Sequence, residues 1–292
     1  MPGVGELAAL ATAVCWSFTA ILFTVSGRLV GSRVVNRSRL LFAVVILGGI
    51  HALLYGSVLP AGAGAYRWGW LALSSVLGFV IGDASLFQAF VLIGPRLGTL
   101  MMSTVPVQST LLGWLFLGET VSRVEIAGIA WVVSEREGAR STLDAAVFRR
   151  GLLLGLIGAF GQATNLLTAK YGLAGGFPPI SATVIRLIVA VLVMWTVAAL
   201  QRQVRPTVAA WRDRRALAAI LGGTVAGPVT GVSLSMLAIQ NARLGIASTL
   251  MALPPVLLIP IEFVLFGRRI TRRSAAGTVL AFVGVALILA RR

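Results

Sequence analysis

Residues 94–107 read GPRLGTLMMSTVPV, and residues 241–256 read NARLGIASTLMALPPV. Arg96-Leu97-Gly98 and Arg243-Leu244-Gly245 stand 147 positions apart in a chain of 292 residues. Each half therefore carries the tripeptide once, followed by small and apolar residues and then Pro-Val. More matches follow in order. Arg39-Leu40 pairs with Arg186-Leu187 at the same spacing. Pro106-Val107 pairs with Pro255-Val256, Gly118 with Gly267 and Ala127-Gly128 with Ala276-Gly277, all at 149. One shared tripeptide arises by chance; an ordered series through the chain does not. The chain is an internal duplication.

Composition says what is duplicated. The chain is 58% hydrophobic and 12% charged, with mean hydropathy +0.93. Soluble domains hold about 45–50% apolar residues. Apolar runs lie near 5–25, 34–55, 68–92, 97–117, 121–134, 151–171, 178–200, 215–239, 243–266 and 274–290. Most are long enough to cross about 30 Å of hydrocarbon as a helix. The expected fold is an all-α polytopic membrane protein of ten spans in two sets of five: a first repeat over 1–134, a linker over 135–150 and a second repeat over 151–292. Each repeat has an odd number of spans, so the second is inverted in the bilayer. Secondary transporters recur in this form, with a site near the midplane between the repeats. A duplication that only builds a stable bundle, or a scaffold subunit that transports nothing, is the competing possibility.

The net charge of +16 does not point to nucleic acid, because the basic residues fill the short gaps between apolar runs. The expected partners are the lipid bilayer and a small-molecule substrate. The side with the 1–2, 3–4, 5–6, 7–8 and 9–10 gaps holds eighteen Lys and Arg residues against seven on the other. The positive-inside rule then puts both termini outside. Enzyme constellations are missing from the sequence: His51 is the single histidine and Cys15 the single cysteine. There is no HExxH, CxxC or phosphate-binding loop, so neither a metal nor another cofactor is expected.

Further residues carry a resemblance. The ten runs in two halves, Arg39 and Arg186 early in each second span, PVQSTLLGWLFLGETVSRVEIAG from Pro106 and the weaker PVLLIPIEFVLFGRRITRRSAAG from Pro255 resemble the EamA-type branch of the drug/metabolite transporter superfamily. The resemblance covers nearly the whole chain. It implies ten helices in an inverted 5+5 arrangement and movement of a small metabolite such as an amino acid, nucleobase or drug-like compound, commonly as export across a bacterial inner membrane. It would more often put the termini inside, against the loop charges. Two departures stand out. Gly267-Arg268 replaces Gly118-Glu119 in the second half, and the fifth run lacks seven residues that its mate, Ser274 to Ala290, retains. The fifth helix is therefore expected to be unusually short.

Among polar residues inside the runs, Asp83 in VLGFVIGDASLFQAF is the sharpest. An unpaired charge at the bilayer centre costs roughly 2.5–3.5 kcal/mol on insertion scales. Asp83 is the candidate for proton coupling and substrate contact; alternatively it satisfies backbone groups freed at a bend near Gly78 and Gly82. Gln88 is a weaker candidate for the same pocket. Gln162 and Asn165, three residues apart, share a helix face and fall opposite Trp16 and Thr19 of the first run. Trp16, Gln162 and Asn165 suit a substrate pocket; the amides would equally serve as interhelical hydrogen bonds. Gln108, Ser233, Ser235 and Gln240 are lower candidates. Trp114, Trp131 and Trp195 are expected to meet lipid or the interface, and Glu262 to pair with Arg268 or Arg269 or to reach for the interface rather than serve as a proton site. Arg39 and Arg186 are expected to be structural, each tying a helix end to the membrane interface, with binding of a substrate carboxylate as the lesser alternative.

Overall fold

A computed structural model of the protein describes residues 3–102, 104–119, 145–254, 256 and 257. Every regular element among them is helical. In the first repeat α1 (Val4–Val30) and α2 (Ser32–Tyr55) meet at Gly31, whose φ of 85° turns the chain. The third span begins as α3 (Ala65–Ser75), passes through a π-helical turn at Val76–Gly82 and continues as α4 (Asp83–Met102). Next comes α5 (Val105–Leu117). The second repeat holds α6 (Ala145–Gly172), α7 (Pro179–Leu200) and the short α8 (Val204–Ala209). Its third span is α9 (Arg214–Thr224), a π-helical turn at Val225–Gly231 and α10 (Val232–Asn241). The described part closes with α11 (Leu244–Met251). Six of these spans are long and apolar enough to cross a membrane: Val4–Val30, Ser32–Tyr55, Ala65–Leu86, Ala145–Gly172, Pro179–Leu200 and Arg214–Asn241. The chain is a multi-pass membrane protein. The shortened fifth run at 121–134, its mate at 274–290, Trp131 and Glu262 lie outside the described residues, as does most of the linker.

Both third spans carry the same irregularity at the same place. V-x-G-x-V-x-G occurs at Val76–Gly82 and at Val225–Gly231, 149 positions apart, and each stretch is the π-helical turn. The Asp83 N–H bonds to Gly78 O, and the Val232 N–H to Gly227 O, five residues back in both. Glycine closes each turn for a steric reason. A Cβ on Gly82 would lie 2.9 Å from Leu77 O, and one on Gly231 3.1 Å from Ala226 O.

The helices interlock between repeats, and the inversion is visible in their pairing. Along α2 and α7, Asn36 meets Met194 and Arg37 meets Gln201, while His51 meets Ser181. The beginning of one helix lies beside the end of its equivalent, so the two run antiparallel. Likewise α1 lies antiparallel on the third span of the second repeat. Phe23 sits at Gly223, Thr19 at Gly227, Trp16 at Gly231 and Gly5 at Ala242. In the same way α6 lies on the third span of the first repeat, with Gly151 at Ile93, Gly158 at Leu86, Asn165 at Gly78 and Gly172 at Leu71. Small residues allow these close approaches; in lipid, where burial of apolar surface gains little, such packing holds helices together.

The expected break between the runs at 68–92 and 97–117, at the helix breakers Gly94-Pro95, needs correction. The backbone stays helical through it to Met102 and breaks at Thr104. A proline removes one backbone donor, whereas ending a helix leaves four carbonyls to satisfy. The second repeat differs: Ala242 is extended, with φ −129° and ψ 164°, and α10 ends there. The difference follows the sequence departure. Glu119 Oε2 accepts from Leu244 N at 2.8 Å and so caps the newly opened helix start. In the sequence the position equivalent to Glu119 is Arg268, and an arginine accepts nothing.

Candidate functional site

The third spans bring their π-helical turns to the middle of the bundle, where the first span of the other repeat crosses them. At one crossing the polar candidates meet. Asp83 is the first residue after the π-helical turn of the first repeat. Its Oδ2 accepts from Arg39 Nη2 at 2.5 Å. Its Oδ1 accepts from Gln162 Nε2 at 2.9 Å. Gln162 Oε1 accepts from Asn165 Nδ2 at 3.2 Å, and Asn165 Oδ1 accepts from Arg186 Nη2 at 2.5 Å. The result is one continuous chain: Arg39, Asp83, Gln162, Asn165, Arg186. Donors and acceptors alternate along it, so the two amides point their oxygens toward Arg186 and their N–H groups toward Asp83. The carboxylate is held by Arg39 directly and by Arg186 through two aligned dipoles.

Second contacts fix each member. Arg39 Nε donates to Asn36 Oδ1 at 2.7 Å, and its guanidinium lies 5.5 Å from the Phe23 ring centre. The Arg186 guanidinium lies 4.8 Å from the centre of Phe79, and its Nη1 approaches Met236 Sδ at 3.2 Å. Ser74 Oγ lies 2.8 Å from Asn165 Oδ1, and Ser75 Oγ donates to Arg186 O at 2.6 Å. Arg186 is 1% exposed and its Nε has no hydrogen-bond partner among the described residues. The Arg39 and Asp83 side chains are each 13% exposed.

Arg39 and Arg186, expected to tie helix ends to the interface, are both members of the polar chain. Each is the eighth residue of its helix, about 10 Å inside the end at 1.5 Å per residue, and each is built into the polar chain. An arginine that deep is stabilised by a partner rather than by reaching water. The alternative for Asp83, capping of freed backbone, falls to its neighbour instead: Gln162 Nε2 lies 3.3 Å from Gly78 O within the π-helical turn. Trp16 stands apart from the chain. A Cβ on Gly231 would lie 2.9 Å from its indole nitrogen, so Trp16 occupies at the second repeat's crossing the place Gln162 takes at the first. Gln88 is exposed on α4 and is not drawn into the cluster.

The lower candidates serve backbone and packing. Gln240 donates to Phe177 O at 2.8 Å, Gln108 to Thr104 Oγ1, Ser233 to Val229 O and Ser235 to Val232 O. Trp114 is exposed toward the outside of the bundle, while Trp195 donates to Arg37 O and lies 6.3 Å from Trp211. Sequence reasoning missed the Arg39–Asp83 pair, Ser74, Ser75 and the doubled V-x-G-x-V-x-G. The pair was findable, because the lone carboxylate of one apolar run and an arginine inside another each need a partner.

Two cavities open nearby. One of about 50 Å³ is lined by Phe23, Ser32, Val35, Asn36 and Arg39 and so reaches the ion pair. A larger one of about 220 Å³ lies at the opposite end of α2, beside His51, Tyr55, Phe177 and Ser181. There His51 bridges Ser57 O at 2.6 Å and Ser181 Oγ at 2.9 Å.

The model of the EamA-like transporter family matches the chain twice, over residues 3–134 and 149–290. A solved structure, described only as a crystal structure of a protein, aligns over 99% of this chain and 98% of its own at TM-score 0.73 and 19% identity, a likeness of fold. No curated protein matches.

Proposed function

The chain belongs to the EamA-like transporter family, and we propose that within it the protein works as a secondary carrier of a small organic metabolite, exporting it across a bacterial inner membrane by alternating access. The observation that carries this is the polar chain from Arg39 to Arg186, set where the two repeats cross. Such a chain is costly to bury in lipid and unnecessary for a bundle held by glycine-lined contacts. Its two ends are equivalent positions of inverted repeats, and they differ in access. Arg39 lines the smaller cavity, while Arg186, 1% exposed, lines neither of the two. One end open and the equivalent end closed is the asymmetry of a carrier resting in one of two access states.

Asp83, Gln162 and Asn165 are proposed as the groups that meet the substrate, with Trp16 as an aromatic wall at the second crossing. Asp83 is also the proposed point of proton coupling. A proton on its carboxylate would cancel the attraction to Arg39 and release that arginine. Reconstituted protein tests the proposal through counterflow of pooled labelled metabolites in vesicles. Saturable counterflow is expected; its absence from folded protein would sink the carrier and leave a scaffold.

A further inference from the structure

The polar chain holds two guanidinium groups and one carboxylate. Asp83 is committed to Arg39 at 2.5 Å. Arg186 has an amide oxygen, a thioether and the face of a phenyl ring, and its buried Nε has no partner among the described residues. A buried arginine without a counter-charge is poorly stabilised, and among the described residues the polar chain is one negative charge short. Resting on the carrier proposal above, we propose that its substrate is a small organic carboxylate. It supplies the missing anion, and Asp83 is the internal stand-in that holds Arg39 while the site is empty.

The geometry gives the route. The carboxylate enters by the 50 Å³ cavity and meets Arg39, with Phe23 and Val35 facing the apolar remainder of the molecule. The planar, multi-donor guanidinium suits a bidentate carboxylate. Asp83 is then displaced from Arg39 but keeps its bond from Gln162, and through the aligned amides it faces Arg186. In that arrangement each arginine has one anion. Side by side on antiparallel α2 and α7, the two arginines sit roughly 9 Å apart along the helix axes, about six residues at 1.5 Å each. One carboxylate on a short arm can thus serve either of them as the repeats rock. A cationic substrate would add charge to a site already positive, and a neutral one would leave Arg186 uncompensated.

The test uses the full chain in detergent and reads thermal unfolding with matched probes: phenylacetate, phenylacetamide and phenethylamine, which share a skeleton and differ in charge. Phenylacetate is expected to raise the midpoint in a saturable way, and the amide and amine are not. Asp83→Asn removes the internal competitor, so the half-saturating phenylacetate concentration should fall at least tenfold. Arg39→Gln should raise it at least tenfold, and this variant decides the matter if Asp83→Asn does not fold. Equal shifts from the amide or amine, no shift from phenylacetate, or weaker binding in a folded Asp83→Asn would each overturn the proposal. Vesicle counterflow separates it from the carrier proposal. Counterflow of the amine or amide in place of the carboxylate sinks the anion site and keeps the carrier; saturable stabilisation by phenylacetate without counterflow keeps the site and sinks the carrier.

Discussion

Asn165 links more of the centre than any other side chain. Its oxygen serves Arg186 and Ser74, and its nitrogen serves Gln162. Asn165→Ala takes the oxygen acceptor from the buried Arg186 guanidinium, while Ser74 keeps its bond to the backbone oxygen of residue 165, and a buried group left without its partner costs about 1–3 kcal/mol. A clear fall in the thermal midpoint is expected, whereas Gln88→Ala, at an exposed site, should stay within about 0.5 kcal/mol of the parent. Gly82→Ala makes a sharper test of the backbone. Its methyl would sit 2.9 Å from Leu77 O and 3.2 Å from Gln162 Nε2, so either the π-helical turn or the polar chain must shift. The cost should be about 1–3 kcal/mol, typical of overpacking, and circular dichroism melts of both variants check it. At this scale the sequence was legible as residue types rather than partners. Asp83, Gln162 and Asn165 are conspicuous because polar groups in apolar runs need a reason. Arg39 was harder to read, because an arginine near the start of a span resembles one that reaches for the interface. Only the fold shows which way its side chain turns.

The elements owe their ends to a few contacts that join distant parts of the chain. Glu119, just past α5, accepts from Leu244 N at 2.8 Å and pairs with Lys170 at 2.6 Å, while Lys170 Nζ also donates to Ala242 O at 2.9 Å. One carboxylate and one ammonium thereby satisfy both sides of the break between α10 and α11. Glu119→Ala leaves Leu244 N and Lys170 without that acceptor and should cost about 2–3 kcal/mol, since charged groups bond more strongly than neutral ones. Glu119→Gln keeps an oxygen for Leu244 N and should lose about half as much; equal losses would mean the cap contributes nothing. The Gly118-Glu119 step was visible in the sequence, but its purpose lay 125 residues away, beyond any local pattern. The π-helical turns were half legible: glycines near Asp83 suggested a bend, and the repeated V-x-G-x-V-x-G would have shown that both repeats share it. Pro95 misled because breaker rules come from water, where an ended helix bonds to solvent; in lipid its free carbonyls must find protein.

At the scale of the whole molecule the duplication was the most legible feature, since matched residues in fixed order survive without any structure. Which way up the bundle lies depends on charges outside it. Arg39 and Arg186, first counted among the flanking charges, belong to the buried polar chain and drop out of the count. One leaves each side, so the excess on the side of the 1–2, 5–6 and 7–8 connections is unchanged. Those connections hold Arg28, Arg33, Arg149, Arg150, Arg202, Arg205, Arg212, Arg214 and Arg215. Positive connections are retained in the cytoplasm. Gly64, on the connection between α2 and α3, should therefore face the outside, and Gln203, between α7 and α8, the cytoplasm. Gly64 has open space around it for a side chain, and Gln203 is exposed. In a Cys15→Ala background, a membrane-impermeant maleimide should label Gly64→Cys on intact cells and Gln203→Cys only after lysis. The reverse pattern would show that something other than the flanking arginines sets the orientation. It would also turn the Arg39 cavity, which opens toward the α1–α2 connection, from a cytoplasmic entrance for an exporter into an external one.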